Sequence, residues 1–376
     1  MGEMGITVRE TVSQMLVLSE TLHRERLLSG PSKCFLKELV LRQDPKALEA
    51  GNQLMLASTR EEREAAMALL TSRIEEQAKA TYDGLFEETD LTLAHQLASK
   101  DVDTMKEDGV DTRSFVYGEV SFAAFYEVLL AATAGMPRLG KFYDLGSGTG
   151  RAVFEAVLAV DCDIFVGIEI LPRLHAAACT VAETYVDRVE PLLARAPIIR
   201  LYNGDITAGQ FDWADGDLVF ANSTCFEQTL LRDIARVAER LKPGARIITF
   251  TVALTSLWLR VVYKKKFNMS WGPATVYIHQ KLSEEEYAER LRVGHTDFDD
   301  DQGVVYDEAV ASGAKGPWSD TDSMRGQAPS YATPSEGGDD PTQFHHPHHA
   351  TGAQEWVEED EDGEEEVNTE EFELID

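Results

Sequence analysis

The sequence predicts an α/β protein whose core is a doubly wound, mostly parallel sheet, and two features of the chain support this. In the middle of the chain, short runs of β-branched and aromatic residues alternate with helical segments, which is the pattern of parallel strands joined by crossover helices. A glycine-rich turn, Asp144–Gly150, directly joins one such strand to one such helix. We therefore expect a helical N-terminal region over 1–112, the sheet domain over 113–282, and a disordered acidic tail over 283–376.

The N-terminal region is predicted to be helical from its apolar periodicity. Between Arg60 and Lys79 the chain has no Pro or Gly, and Glu and Arg occupy one face of the predicted helix. The apolar residues that recur at helical spacing on the other face are Ala66, Leu69, Leu70 and Ile74. We expect this region to form a lid or a packing collar for the domain that follows.

The elements of the sheet domain follow one another in a regular order. The predicted strands contain, in chain order, Lys141–Asp144, Ile164–Glu169, Ile198–Tyr202, Leu218–Ala221 and Arg246–Val252. The predicted helices between them are Arg151–Val160, Leu174–Val186 and Gln228–Leu241. Two further strands, Val261–Tyr263 and Thr275–His279, flank a turn at Trp271–Pro273. This arrangement predicts an antiparallel hairpin that closes the sheet.

The negative charge of the chain is concentrated in its last quarter. The net charge is −31, and the segment 283–376 holds 28 acidic and four basic residues against 38 acidic and 31 basic residues in the rest. Beyond Leu282 the apolar periodicity fades, and clusters of Gly, Ser and Pro surround the histidine tract His345–His349. Such a segment buries too little apolar surface to offset its ordering entropy, so we expect it to be disordered.

The cysteines and the N-terminus bear on the cellular compartment. The four cysteines have no paired spacing, which predicts reduced thiols and neither a disulfide framework nor a metal site. The segment Met1–Arg9 lacks the pattern of a secretory signal, and no apolar stretch is long enough to span a bilayer. We expect a soluble protein of the nucleus or the cytosol, without a membrane partner.

The glycine-rich turn is the strongest functional signal in the sequence. It follows a strand and opens a helix, and its glycines permit close approach of the backbone to a ligand. The predicted binding residues of this turn are Asp144, Gly146, Ser147, Gly148 and Gly150. Asp144 precedes the first glycine, which differs from the dinucleotide-binding form and places a carboxylate where it can meet a cationic amino-acid group.

Two more carboxylates follow the next strands. Glu169 ends the second strand, 25 residues after Asp144, and Asp205 follows the third. In this fold such side chains bind the ribose hydroxyls and the adenine amino group of a cofactor. Carboxylates at three strand ends therefore predict S-adenosylmethionine as the cofactor. The alternatives are a degenerate domain that keeps the turn for structure, and a nicotinamide enzyme, which the position of Asp144 disfavours.

The segment Asn222–Phe226 follows the fourth strand, on the side where a methyl acceptor is expected. The Asn222 carbonyl can accept a hydrogen bond from an amine, and Phe226 can wall a narrow channel. Alternatively, Asn222 is a turn residue that satisfies backbone groups. Cys225 has no basic partner in the sequence, so we expect a small residue that lines the pocket.

Four segments together resemble the Dot family, the non-SET histone lysine methyltransferases named for disruption of telomeric silencing. The matching segments are Tyr117-Gly-Glu-Val-Ser-Phe122, Asp144–Gly148, Asn222–Phe226, and Ser270–Trp271 with Val276–His279. The resemblance covers about 115–280 and implies a class I methyltransferase fold and histone H3 in the nucleosome as the substrate. It implies that Tyr117, Glu119 and Phe122 bind the cofactor, with Glu119 at its methionine part. It further implies that Asn222, Phe226 and Tyr277 line the lysine channel.

Two departures from the family pattern leave alternatives open. Ser223 stands where the family often has a second Asn, which favours a non-histone protein or a small molecule as the acceptor. The only basic run is Lys264–Lys266, which we expect to be a solvated turn, so the sequence gives little basis for DNA contact. The acidic tail can bind histones, occupy the chain's own basic patch or only keep the chain soluble. A histone-binding scaffold is the alternative from another functional class.

Overall fold

The computed structural model describes residues 8–109, 112–113, 115, 117–269 and 272–294, and the backbone of 372–373. The predicted motif Ser270–Trp271, the histidine tract and residues 295–371 of the predicted acidic tail lie outside the described residues. The sheet domain and the helices before it fall within them.

The strands form one sheet in the order β6-β7-β5-β4-β1-β2-β3-β8. Their bounds are β1 (Leu139–Leu145), β2 (Cys162–Glu169), β3 (Ile198–Asn203), β4 (Leu218–Ala221), β5 (Arg246–Phe250), β6 (Leu259–Met269), β7 (Gly272–Lys281) and β8 (Phe372–Glu373). Strands β1 to β5 are parallel to one another, whereas β7 runs antiparallel to β5 and β6, and β8 to β3. The class I methyltransferase topology with a closing antiparallel hairpin is thereby confirmed.

The helices cover both faces of the sheet. Their bounds are α1 (Val8–Arg24), α2 (Gly30–Leu41), α3 (Pro45–Leu56), α4 (Arg60–Leu85), α5 (Leu91–Glu107), α6 (Phe122–Thr133), α7 (Arg151–Ala159), α8 (Pro172–Arg188), α9 (Gln228–Ala238) and α10 (Glu284–Val293). Alternate residues of each strand enter different apolar clusters, as a period of two requires. One cluster includes α6, α7 and α8, and the other includes α9, so the sheet is doubly wound.

The N-terminal region is helical, as predicted, and it shares the core of the sheet domain. Phe35 of α2 and Leu70 of α4 are fully buried in the same apolar cluster as Phe154 of α7. Thr59 and Glu62 form a capping box at the start of α4, which satisfies backbone N–H groups at that end. The region is therefore a packed layer of the domain.

One element near the sheet was missed, and one prediction was wrong. Helix α6 was not predicted, because its run of Phe, Ala, Tyr, Val and Leu is apolar on nearly all sides and hides the helical period. Lys264–Lys266 lies in the middle of β6 and not in a turn. Strand β6 is an edge of the sheet, where lysines are common because they discourage pairing with other chains.

The predicted start of the acidic tail was also wrong. Helix α10 follows β7 directly, and Ser283 and Glu286 form its capping box. The Arg290 side chain is buried and donates to the carbonyl of Leu259 at 2.8 Å, which fastens α10 to β6. The sequence there reads as an acidic surface, but its N-terminal carboxylates favour a helix start. The domain therefore extends at least to Gly294.

Glu155 of α7 gives the fold a pH dependence that a variant can isolate. The side chain is fully buried, and burial raises the pKa of its carboxyl well above the ordinary value, with the nearby Glu75 adding to the effect. The native state therefore keeps a proton that the unfolded chain releases. This contribution to stability is present below the ordinary carboxyl pKa and is lost as the pH rises towards the raised one.

We expect Glu155→Gln to be more stable than the wild type at about pH 8, by at least about 1 kcal/mol. At about pH 5 the difference should shrink, because the unfolded wild type then keeps more of its proton. Urea unfolding at both pH values measures this, with Glu61→Gln on the exposed face of α4 as the control. An equal difference at the two pH values would contradict the assignment.

Candidate cofactor and acceptor site

A cavity of about 290 Å³ lies at the carboxyl ends of β1, β2 and β4, beside the turn that follows β3. Ten predicted site residues line it, namely Tyr117, Glu119, Asp144, Gly146, Ser147, Gly148, Glu169, Asp205, Asn222 and Phe226. Because the carboxyl ends of parallel strands meet at one edge of a sheet, segments far apart in sequence converge here. The structure thus brings most of the predicted site together.

The glycine-rich turn has the backbone that only glycine adopts without strain. Gly146 and Gly148 have φ angles of 86° and 56°, both in the left-handed region. A Cβ on Gly148 would lie 2.7 Å from Cε2 of Tyr117. The absence of a side chain therefore lets the Tyr117 ring lie directly against the turn.

Asp144 and Glu169 place two carboxyl groups on the buried side of the cavity. Asp144 is 2% exposed and Glu169 is 5% exposed. Burial raises the pKa of Asp144 well above its ordinary value, and the Glu169 carboxylate raises it further. Burial also raises the pKa of Glu169, against the opposing effect of backbone N–H donors. Two carboxyls in one buried place favour a ligand with cationic or hydrogen-donating groups.

Glu169 is fixed by the backbone around it. Its Oε2 accepts from the N–H of Gly148 at 2.6 Å, and its Oε1 accepts from the N–H of Leu171 at 2.8 Å. Each carboxylate oxygen has a second lone pair, so the group can still accept two hydroxyl hydrogens. This arrangement suits a ribose with two adjacent hydroxyls.

Asp205 differs from these two because it is exposed at the rim. Its Oδ1 accepts from both the N–H and the hydroxyl of Thr207, each at 2.7 Å. The turn that holds it begins at Gly204, whose N–H donates to the carbonyl of Glu169. Asp205 is therefore placed by β2 and its own turn, with Oδ2 left for a ligand amino group.

The loop before α6 closes one side of the cavity. The Tyr117 hydroxyl donates to Oε1 of Glu119 at 2.5 Å and lies 3.1 Å from the Thr149 hydroxyl of the glycine-rich turn. The Asn222 side-chain amide donates to the carbonyl of Gly118 at 2.9 Å. The loop is thus held from both the first and the fourth strand of the sheet.

The Asn222 side chain thus satisfies a backbone carbonyl of the distant loop, and its Oδ1 accepts from the Thr224 hydroxyl of its own turn at 3.2 Å. Its contact with the methyl acceptor stays a prediction. Ser223 is buried, and its hydroxyl donates to the carbonyl of Phe250 and accepts from the N–H of the same residue. It joins β4 to β5 and does not line the cavity. Cys225 is exposed and also does not line it, so the pocket-lining prediction for Cys225 was wrong.

Three predicted site residues do not line the cavity. Phe122 is buried at the start of α6, where its ring packs against Tyr82 of α4. Gly150 is the N-cap of α7, and a Cβ there would meet Phe154 at 2.9 Å, so it serves helix packing. Tyr277 lies on β7 opposite Lys264, whose ammonium lies 5.4 Å from its ring centroid. The Phe122 and Tyr277 side chains thus point away from the cavity.

Arg151 is a cavity residue that the sequence analysis missed. It is the first residue of α7, and its Nε lies 2.6 Å from Oε1 of Glu119. The signal that could have found it is its position directly after the glycine-rich turn, where a side chain at the helix start lies beside any bound ligand. The apolar wall formed by Leu171, Leu174 and Leu230 was also not predicted.

The described residues give three further findings. None of their helices is long and apolar enough to cross a membrane. They contain no group of three or more His, Cys, Asp or Glu side chains arranged to hold a metal ion. The four cysteines all belong to this part of the chain and are thiols that form no disulfide bond.

In a comparison with known protein families, residues 99–266 match the family model described as histone methylation protein DOT1. An H3 lysine-79 specific histone-lysine N-methyltransferase of Gibberella zeae is 28% identical over 153 residues, which are 38% of this chain and 29% of that protein. One of Debaryomyces hansenii is 26% identical over 189 residues, 48% of this chain and 15% of that protein. The chain thus spans less than a third of the length of these curated relatives.

More distant solved structures include an RNA methyltransferase of Salinibacter ruber in complex with S-adenosyl-L-homocysteine. It has a TM-score of 0.34 and 21% identity, and the likeness covers 43% of this chain and 92% of that one. The N-methyltransferase NodS of Bradyrhizobium japonicum has a TM-score of 0.34 and 15% identity, over 43% of this chain and 96% of that one. The family match coincides with the loop before α6, the glycine-rich turn and Asn222–Phe226. Residues 99–266 are thus similar to the DOT1 family model.

Proposed function

We propose that the chain is an S-adenosylmethionine-dependent protein lysine N-methyltransferase that acts on the globular core of histone H3 in nucleosomes. The observation that carries the proposal is the convergence of the Tyr117–Glu119 loop, the glycine-rich turn, Glu169 and Asn222–Phe226 on one cavity. The names of the two curated relatives support histone H3 as the acceptor. A histone acceptor implies a nuclear site of action.

The residues of the cavity fit S-adenosylmethionine. The buried Glu169 offers two acceptor oxygens for the ribose hydroxyls, and Asp205 offers one at the rim for the adenine amino group. Asp144 and Glu119 also line the cavity and offer carboxyl groups for the α-ammonium group. Gly146, Ser147 and Gly148 of the glycine-rich turn line the same cavity, so backbone atoms face the ligand there. The cofactor supplies the methyl group on a sulfonium.

The acceptor side of the cavity suits a lysine that must lose its proton before it reacts. The unperturbed pKa of a lysine is about 10.4, and the neutral amine is the nucleophile. Phe226 and Leu230 supply apolar surface that disfavours the charged ammonium. The Asn222 amide fixes the loop on the far side of the cavity, which holds the reacting groups in line. Tyr277 has no part in this proposal because it does not line the cavity.

The structure also bears on the two alternatives. The Ser223 hydroxyl is fully engaged with the backbone of β5, so the departure at this position does not change the cavity wall. It therefore no longer favours a small-molecule acceptor. A histone-binding scaffold would depend on the acidic tail, most of which lies outside the described residues.

Methyl transfer from labelled S-adenosylmethionine to nucleosomes, free histones and a cell lysate tests the proposal. We expect label on histone H3, and we expect Glu119→Ala and Asn222→Ala each to lower its rate by about 100-fold, because both displace the loop that positions the reactants. Asn268→Ala, at an exposed position on β6, is the matched control and should leave the rate unchanged. Label on non-histone bands alone would contradict the histone assignment. No transfer to any protein would contradict the enzyme itself.

A further inference from the structure

Arg151 contacts both Glu119 in the cavity and the N-terminal helical layer. On one side its Nε lies 2.6 Å from Oε1 of Glu119, and the two side chains are only 15% and 10% exposed. The same Glu119 oxygen accepts the Tyr117 hydroxyl hydrogen. The guanidinium is always charged, and a charge-assisted contact between largely buried groups is stronger than one at the surface. Arg151 therefore restrains the Glu119 carboxylate within the cavity.

On the other side Arg151 is held by the N-terminal helical layer. Its Nη2 donates to the carbonyl of Thr89 at 2.8 Å, and its guanidinium carbon lies 4.3 Å from the ring centroid of Phe86. Thr89 is 5% exposed and Phe86 is 4% exposed, so both partners are buried. A guanidinium over an aromatic face is a favourable cation–π contact. Both residues belong to the segment 86–90 between α4 and α5, which thereby fixes the far side of the guanidinium.

The geometry points to a chain of contacts from segment 86–90 through Arg151 to Glu119. We propose that Arg151 is a positioning residue. Through it, the N-terminal helical layer determines how tightly the amino-acid end of the cofactor is bound. The inference rests on the proposed function, since it concerns how that cofactor is held. The end of the cavity at Glu119 and Arg151 carries one negative and one positive group. Such a pair matches a zwitterion, in which an ammonium and a carboxylate are adjacent.

A purely structural anchor would behave differently. If Arg151 only fastened the helical layer to α7, its loss would disturb the whole cavity and weaken every ligand alike. A positioning role predicts a loss confined to ligands that carry the amino-acid end. S-adenosylhomocysteine carries this end, whereas 5′-methylthioadenosine keeps the adenosine and lacks it.

The test is a calorimetric titration of both ligands into the full chain. We expect Arg151→Gln to raise the Kd for S-adenosylhomocysteine by about 10- to 30-fold, the loss of one charge-assisted contact, and to change the Kd for 5′-methylthioadenosine by less than about twofold. Arg151→Lys should lie between, because it keeps the charge beside Glu119 and loses the planar contact with Phe86. Phe86→Leu should raise only the Kd for S-adenosylhomocysteine, by about three- to fivefold.

Arg188→Gln is the matched control. Its guanidinium also bonds the N-terminal layer, at the carbonyl of Gly84, but it is exposed on α8 and does not line the cavity. We expect it to change neither Kd. Equal weakening of both ligands by Arg151→Gln and Phe86→Leu, or no weakening by either, would overturn the inference while the proposed function stands. A wild type that binds neither ligand would instead remove the proposed function and the inference with it.

Discussion

Glu169→Gln is expected to lower the affinity for S-adenosylhomocysteine by about 100-fold. The buried carboxylate accepts the N–H groups of Gly148 and Leu171 and keeps free lone pairs for two hydroxyls. A glutamine has one acceptor oxygen, and its NH₂ group would face one of the two backbone donors. A buried donor without an acceptor costs about 1–3 kcal/mol, and 1.4 kcal/mol corresponds to a factor of ten in affinity.

Titration calorimetry measures this loss, and thermal unfolding of the same samples reports whether the variant remains folded. Glu183→Gln, at an exposed position on α8, is the control for the same chemical change. An affinity within about threefold of the wild type would show that Glu169 does not bind the ligand.

Gly148→Ala is expected to lower the same affinity by about 30-fold or more. The φ angle of 56° strains an alanine, and its Cβ would lie 2.7 Å from the Tyr117 ring. The ring belongs to the loop that carries Glu119, so its displacement moves that loop away from the cavity. Strain of this kind costs about 1–3 kcal/mol, and the lost positioning of the loop adds to it.

The binding titration with Gly148→Ala needs a control that replaces a glycine outside the cavity. At Gly209 the φ angle is not positive, and a Cβ would meet no atom within 4 Å. Gly209→Ala should therefore bind as the wild type does. If Gly148→Ala also binds normally, the contact between Tyr117 and the turn does not shape the site.

The carboxylates of the cavity could be predicted because each is encoded locally. Asp144 follows a short run with two aromatic residues and Glu169 follows a run rich in Ile and Val, and the parallel arrangement brings such ends to one edge. Glycines flanking a strand and a helix are an equally local signal. The sequence therefore predicted both the sheet and ten of the residues that line the cavity.

The contacts of Arg151 could not be predicted in this way. Its partners Phe86 and Glu119 are distant in sequence. The packing of α4 and of the loop before α6 against α7 brings them together. Phe122 and Tyr277 show the converse limit. A family motif gives their position in the chain but not the direction of the side chain, and helix and strand geometry turns both away from the cavity.

The helix that follows Ser283 and the strand that contains Lys264–Lys266 were not predicted, because the interpretation of both segments gave more weight to their charge than to local structure. Acidic residues after Ser283 are typical of a tail, yet the same residues favour the first turn of a helix. Consecutive lysines are typical of a solvated loop, yet they also protect an edge strand from pairing with other chains. In both segments burial of neighbouring side chains, which composition does not report, determines the outcome.

The most direct test of the central claim is a crystal structure of the full chain with S-adenosylhomocysteine. We predict that the ligand lies in the described cavity, with both ribose hydroxyls within about 3.2 Å of the Glu169 carboxylate and the amino-acid end beside Glu119. An empty cavity at saturating ligand, or a ligand bound away from Glu169 and the glycine-rich turn, would contradict it.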